Sequence, residues 1–195
     1  MAVANNIFPP DHEISVFDKK FISQQYNTYT IKEGQHVIDN KGAALFDCIY
    51  EDNKVTVNDN SGKTIFNVRY NEIVYPIEKL TIYPENTDSK SLITFNLKRT
   101  FLSKKYIIDF FNQATQMNET IEMNCHSSFS NFDIYAGRKK DNSPLICKIT
   151  KIKTQVLTGE DFIIEMAPNV DTLFMIAIGI CVYKIYLNTY IVTSW

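Results

Sequence analysis

Catalysis or metal binding in this chain would have to start from three histidines, His12, His36 and His126, and four cysteines, Cys48, Cys125, Cys147 and Cys181. No histidine has a second histidine or a carboxylate at a metal-ligand spacing. Cys125 and His126 are adjacent and combine a nucleophile with a base, yet consecutive residues of a strand point to opposite faces. The cysteines lie far apart without a C-x-x-C pair, the pattern of buried reduced thiols rather than of a disulfide framework. Asp39 and Asp59 could pass for a carboxylate pair, but each begins an Asp-Asn-x-Gly turn that already needs it. Glycine-rich phosphate loops and G-x-S-x-G elbows are absent. Neither catalysis nor a cofactor or metal is expected.

Charge is the other available chemistry. Basic residues gather at Lys98-Arg99 with Lys104-Lys105, at Arg138-Lys139-Lys140, and at Lys148, Lys151 and Lys153. Solvated faces and charged hairpin tips account for most such clusters. Arg138-Lys139-Lys140 precedes Asp141-Asn142 and reads as a loop, and a basic loop tip can meet anionic headgroups at about 1 kcal/mol per charge. The formal net charge of −2 argues against a nucleic-acid binder.

The elements that must position these residues are mostly strands. Val37 to Cys48 nearly recurs at Val57 to Val68, with Val, Asp, Asn, Gly and Phe in the same places. Each copy predicts a strand, a turn (Asp39 to Gly42, Asp59 to Gly62) and a returning strand. Asp can bond its own backbone two residues on, and Gly accepts positive φ. Further strands are predicted at Ile14 to Phe17, Thr28 to Lys32, Ile73 to Tyr83, Leu92 to Leu97 and Tyr106 to Phe111. Others are predicted at Thr120 to Cys125, Phe132 to Ala136, Leu145 to Leu157 and Phe162 to Met166. Short alternating runs at regular spacing argue a closed antiparallel sheet.

From Thr172 to Tyr183 there is no charged residue, and Asp171 in front suits a helix N-cap. Three readings compete: a buried helix, a strand on the alternation of Ile176, Ile178, Ile180 and Val182, and a tail anchor. About 16 residues at ~1.5 Å each fall short of a ~30 Å hydrocarbon core. At 195 residues, with 45% hydrophobic residues, one domain with a substantial core is expected. No secretory leader opens the chain, which predicts an intracellular protein.

Taken together, these residues resemble the LURP-one-related proteins, of the superfamily with the tubby C-terminal domain and the phospholipid scramblases. The resemblance rests on the paired Asp-x-x-Gly turns with Phe46 and Phe66 behind them, on Phe132-x-Ile134-Tyr135-x-Gly137, and on Leu145 to Ile149. It closes on Asp161-Phe162-x-Ile164-Glu165-Met166-x-Pro168-x-Val170-Asp171 before the apolar run. It implies a barrel of about twelve strands, residues 14 to 188, around a hydrophobic helix from Thr172 to Leu187. Residues 1 to 13 would be a lead-in and 189 to 195 a tail. The helix would then be neither a strand nor transmembrane.

Tubby domains bind phosphoinositides through basic residues, so the resemblance makes Lys104, Lys105, Arg138, Lys139 and Lys140 a candidate anionic-lipid patch at one rim of the barrel. Scramblases carry an acidic calcium stretch near this place, but Glu160, Asp161 and Glu165 do not reproduce a dense oxygen-ligand loop. The expected function is a monomeric, non-enzymatic, intracellular binding or adaptor module. The alternative is a peripheral membrane protein that binds phosphoinositides or other anionic lipids.

Overall fold

The paired turns form as their residues dictate. In a computed structural model describing residues 7–70, 76–99, 104–126, 129–153 and 160–193, with side chains to residue 189, Gly42 and Gly62 take φ of +83° and +81°. Asp39 Oδ1 accepts from the N–H groups of Lys41 and Ala43, both at 2.8 Å. Asp59 Oδ1 accepts from Ser61 N and Oγ and from Lys63 N. The Ser61 hydroxyl is the main influence holding the Asp59 carboxyl below its ordinary range. Val37 faces Phe46 and Val57 faces Phe66, so the two phenylalanines hold equivalent wall positions. A Cβ on either glycine would meet nothing within 4 Å. Gly42→Val or Gly62→Val should therefore cost about 1–3 kcal/mol through backbone conformation alone. Chemical denaturation of each variant measures this, and an unchanged midpoint would refute the turn argument.

Twelve strands follow one another around a closed antiparallel barrel. They are β1 (Asn27–Lys32), β2 (His36–Asp39), β3 (Ala44–Glu51), β4 (Lys54–Asp59), β5 (Thr64–Tyr70) and β6 (Lys79–Pro84). Then come β7 (Ile93–Arg99), β8 (Lys104–Asn112), β9 (Met117–Cys125), β10 (Asn131–Tyr135), β11 (Leu145–Lys153) and β12 (Glu160–Met166). Closure is made by β1 against β12, with Ile31 opposite Phe162. A closed sheet leaves no edge to pair with another chain. Residues 73–75 and 154–157 of the predicted strands lie outside the described residues.

The apolar run forms one helix, α1 (Thr172–Thr193), inside the barrel. Leu173, Phe174, Met175, Ile176, Ile178, Ile180, Cys181 and Val182 are all buried. A helix without a polar face needs a wall on every side, and the inward residues of the strands supply it. A Cβ on Gly179 would lie 2.5 Å from Ile164 Cδ1 and 2.9 Å from Ile31 Cδ1, so this residue brings the wall against the helix backbone. The helix runs beyond Leu187, where it was expected to end. Its length by composition would suit a membrane span, but most of the apolar window is buried in the barrel.

The predicted strand at Ile14 to Phe17 does not form as such. Only a single parallel bridge joins Ile14 to Val170. The segment instead crosses the end of the barrel where α1 begins, called here the closed end. Its backbone is held partly by main-chain bonds, with Ile14 N donating to Asn169 O, Asp171 N to Ile14 O and Gln113 N to Ser15 O, and partly by side chains: Asn112 Oδ1 accepts from Ser15 N, and Asp171 Oδ2 accepts from Val16 N (3.0 Å) and Phe17 N (2.8 Å). Gln113 Nε2 donates to the carbonyls of Val16 and Phe17. Ile14 and Val16 are buried beneath this strap. The apolar residues of this segment thus reflect burial at a barrel end, where Ser15 is buried with them, and not a ladder.

Candidate binding groove

Each histidine meets a carboxylate supplied by the fold. His12 Nε2 lies 3.0 Å from Glu119 Oε2, His36 Nδ1 2.7 Å from Asp47 Oδ1, and His126 Nε2 3.2 Å from Asp133 Oδ2. All three imidazoles are exposed at the surface. Among the described residues no group of three or more His, Cys, Asp or Glu is arranged to hold a metal ion. The four cysteines are buried free thiols. Cys125 faces the barrel interior, away from His126, and burial pushes its thiol up to about 12.

The acidic residues before the helix are dispersed rather than gathered. Glu160 pairs with Lys151 at 2.9 Å, Asp161 accepts from Glu33 N, and Asp171 holds the strap. Asp171 also caps the helix, with Phe174 N donating to Oδ1 at 3.1 Å. Burial pushes its carboxyl above the ordinary range, against the opposing pull of backbone N–H groups from the strap and the helix.

The basic residues come together differently from the expectation. Lys104 and Lys105 begin β8 at the end where α1 emerges, called here the exit end, whereas Arg138 to Lys140 follow β10 at the closed end. They therefore share no rim. What joins them is the shortness of β10: five residues stand beside the nine of β9, and Tyr135 already lies opposite Glu122. The connection after Tyr135 folds along the outer wall, where a groove of about 430 Å³ is lined by Lys104, Lys105, Lys139 and Lys140. Glu122, Asn124, His126 and Asp133 complete its polar lining, and Arg138 is outside it.

Within the groove Lys105 Nζ donates to Glu122 Oε2 at 2.9 Å, and that carboxylate is almost fully buried. Lys104 Nζ stands 4.9 Å from the Phe129 ring centre, and Lys139 Nζ 5.3 Å from that of Tyr135. Lys140 is exposed. Four ammonium groups and an imidazole thus face two carboxylates, so the groove carries an excess of positive charge over low-dielectric wall. Chemically it can hold an anionic group by charge and by lysine N–H donors. The paired Asp39 and Asp59 turns stand apart from it and are structural. The histidine–carboxylate pairs were not read from the sequence, because the partners come from other strands; no spacing signal could have found the pair of His12 with Glu119, 107 positions away.

A family model described as LURP-one-related matches residues 15–183. No curated protein and no solved structure gives a significant match.

Proposed function

The chain belongs to the LURP-one-related family, and on that premise we propose that it is a non-enzymatic intracellular binding or adaptor module working from its outer wall. The observation that carries this reading is the filled lumen. With α1 packed through the barrel, the interior residues are occupied in folding, and the groove beside β8, β9 and β10 is lined by four lysines. Buried thiols and histidines already engaged by carboxylates favour binding over chemistry. The resemblance to tubby and scramblase domains fits a cytoplasmic protein that meets membranes peripherally.

The excess of lysine in the groove favours a second reading in which the ligand is an anionic lipid, a phosphoinositide among them. Vesicle flotation with and without anionic lipid tests it. The anionic increment in binding should fall steeply between low and physiological salt, since exposed charges are screened over about 8–10 Å. Changing Arg138, Lys139 and Lys140 together to Ala should remove most of that increment while leaving thermal stability within about 1 kcal/mol, because solvated loop charges contribute little to folding. If the triple variant retains the parent's anionic increment, or the parent shows none, the ligand of the module is a protein.

A further inference from the structure

A closed sheet offers a partner no strand edge to extend, so recognition falls to the side chains of the outer wall. On β8 these are Lys105, Ile107, Asp109 and Phe111, because Tyr106, Ile108 and Phe110 point into the core. Their order runs from basic to apolar. At ~3.4 Å per residue, the six steps from Lys105 to Phe111 cover about 20 Å.

Phe111 is 44% exposed and stands at a second hollow in the wall, of about 440 Å³. Leu92, Thr94 and Thr120 give this hollow further apolar surface, and Asn118 gives it hydrogen-bonding groups. Its charged residues are Lys90, Asp109 and Glu119. Asp109 is exposed and accepts from Thr120 Oγ1 at 2.8 Å and from Asn96 Nδ2 at 3.2 Å. Glu119 is engaged by His12, Asn112 and Thr115. One lysine beside two carboxylates leaves no excess of positive charge here, in contrast to the lysine groove.

Register sets the two hollows side by side. Thr94, Asp109 and Thr120 stand opposite one another on β7, β8 and β9, and Asn96, Ile107 and Glu122 do so one row further along. Only that row divides the hollows, since Glu122 already lines the groove. Lys105 is committed to Glu122, so an incoming acid would be met chiefly by Lys139 and Lys140, both exposed.

We propose that the two hollows together receive one extended segment of a partner protein, with an apolar or aromatic side chain against Phe111 and acidic side chains beside Lys139 and Lys140. This rests on the reading of the chain as a module that binds from its outer wall, and it gives the partner its chemistry. Charge complementarity fixes the orientation: carboxylates are drawn to the lysine end and opposed by Asp109 at the other. A bilayer fits the pair less well. Its broad surface leaves the hollow beside Phe111 unfilled, and anionic headgroups along the wall meet Asp109. Side chains on one face of an extended segment alternate, so the apolar and acidic residues belong about six positions apart.

Random twelve-residue peptides displayed on phage and selected on the full-length protein at physiological salt test this. Selected sequences should pair leucine or an aromatic residue with acidic residues about six positions away. Titrated as synthetic peptides, they should bind Phe111→Asp, and the double variant Lys139→Glu with Lys140→Glu, at least tenfold more weakly than the parent. Buried aromatic anchors carry contacts of this kind, and Phe111→Tyr should bind within about twofold of the parent because it keeps the ring. Thermal midpoints should be unchanged, since all three side chains are exposed. Acidic peptides that bind Phe111→Asp as the parent does would overturn the joint site and leave the groove as an anion site. Apolar peptides indifferent to the lysine reversals would overturn it from the other end. Selection of no peptide, with anionic vesicles still bound, would overturn it in favour of a lipid ligand; with no vesicle binding either, the outer-wall reading falls as well.

Discussion

Deleting residues 172–195 is expected to leave no soluble, folded barrel. Leu173, Phe174, Met175, Ile176, Ile178, Ile180, Val182 and Ile185 are each at most 1% exposed. At ~1.5–3 kcal/mol for each fully buried apolar side chain, the helix contributes on the order of 10–25 kcal/mol of transfer free energy. Whole domains are stable by only about 5–15 kcal/mol, so no rearrangement of the wall offsets that loss. The wall suffers as well, since Ile31, Val57, Phe66, Phe95, Phe132 and Ile164 face inward and would border an empty lumen. Such inward apolar faces, bared together, drive aggregation. The measurements are soluble yield and far-ultraviolet circular dichroism through a thermal melt. A soluble truncated protein with a cooperative transition would show that the barrel stands without its helix.

Asp171→Ala is expected to be the most damaging single substitution of a polar residue described here. One carboxylate oxygen accepts from Val16 N and Phe17 N on the strap, and the other accepts from Phe174 N in the first turn of α1. The residue is fully buried, so water does not replace what is removed. Leaving several buried donors unpaired at ~1–3 kcal/mol each predicts a loss of roughly 3–5 kcal/mol. For a chain of this size that is a fall in melting temperature of roughly 6–20 °C. Asp171→Asn should recover only part of it, because its amide nitrogen presents donors to donors. Hydrogen exchange should localise the damage: the amides of Val16, Phe17 and Phe174 should lose protection before those of β4 and β5. A melting temperature within 2–3 °C of the parent, or a uniform loss of protection, would refute the role of Asp171 as a joint between strap and helix.

This joint marks how far sequence reading reaches. That Asp171 caps a helix was legible from its place before an uncharged run, and the cap bond to Phe174 N is present. That its second oxygen grips Val16 and Phe17 was not, because those partners lie more than 150 residues away. The same separation explains Ile14 to Phe17. Its apolar residues correctly announce burial, yet they do not say whether the backbone finds a ladder or the mixture of main-chain and side-chain partners that holds it here. The basic residues repeat the lesson. Their clusters are visible in the chain, but their meeting on the outer wall depends on β10 stopping after five residues beside a longer neighbour.

What the sequence determined by itself is local or compositional. The Asp-Asn-x-Gly turns specify hairpins through bonds spanning two to four residues and through positive φ at glycine. The period-2 runs specify strands with one dry face. The charge-free stretch after Asp171 must leave water, but its own residues allowed a buried helix, a strand or an anchor, and only the resemblance pointed to a helix inside a dozen strands. The family pattern is legible for the same reason, since it consists of those turns and runs in order. The tertiary structure alone decided the strap across the closed end, the carboxylate partner of each histidine, and the shared groove of Lys104, Lys105, Lys139 and Lys140. Each of these joins residues on different strands or at distant points of the chain. Barrel closure and register set their distances, and neither is encoded in the spacing of the residues that meet.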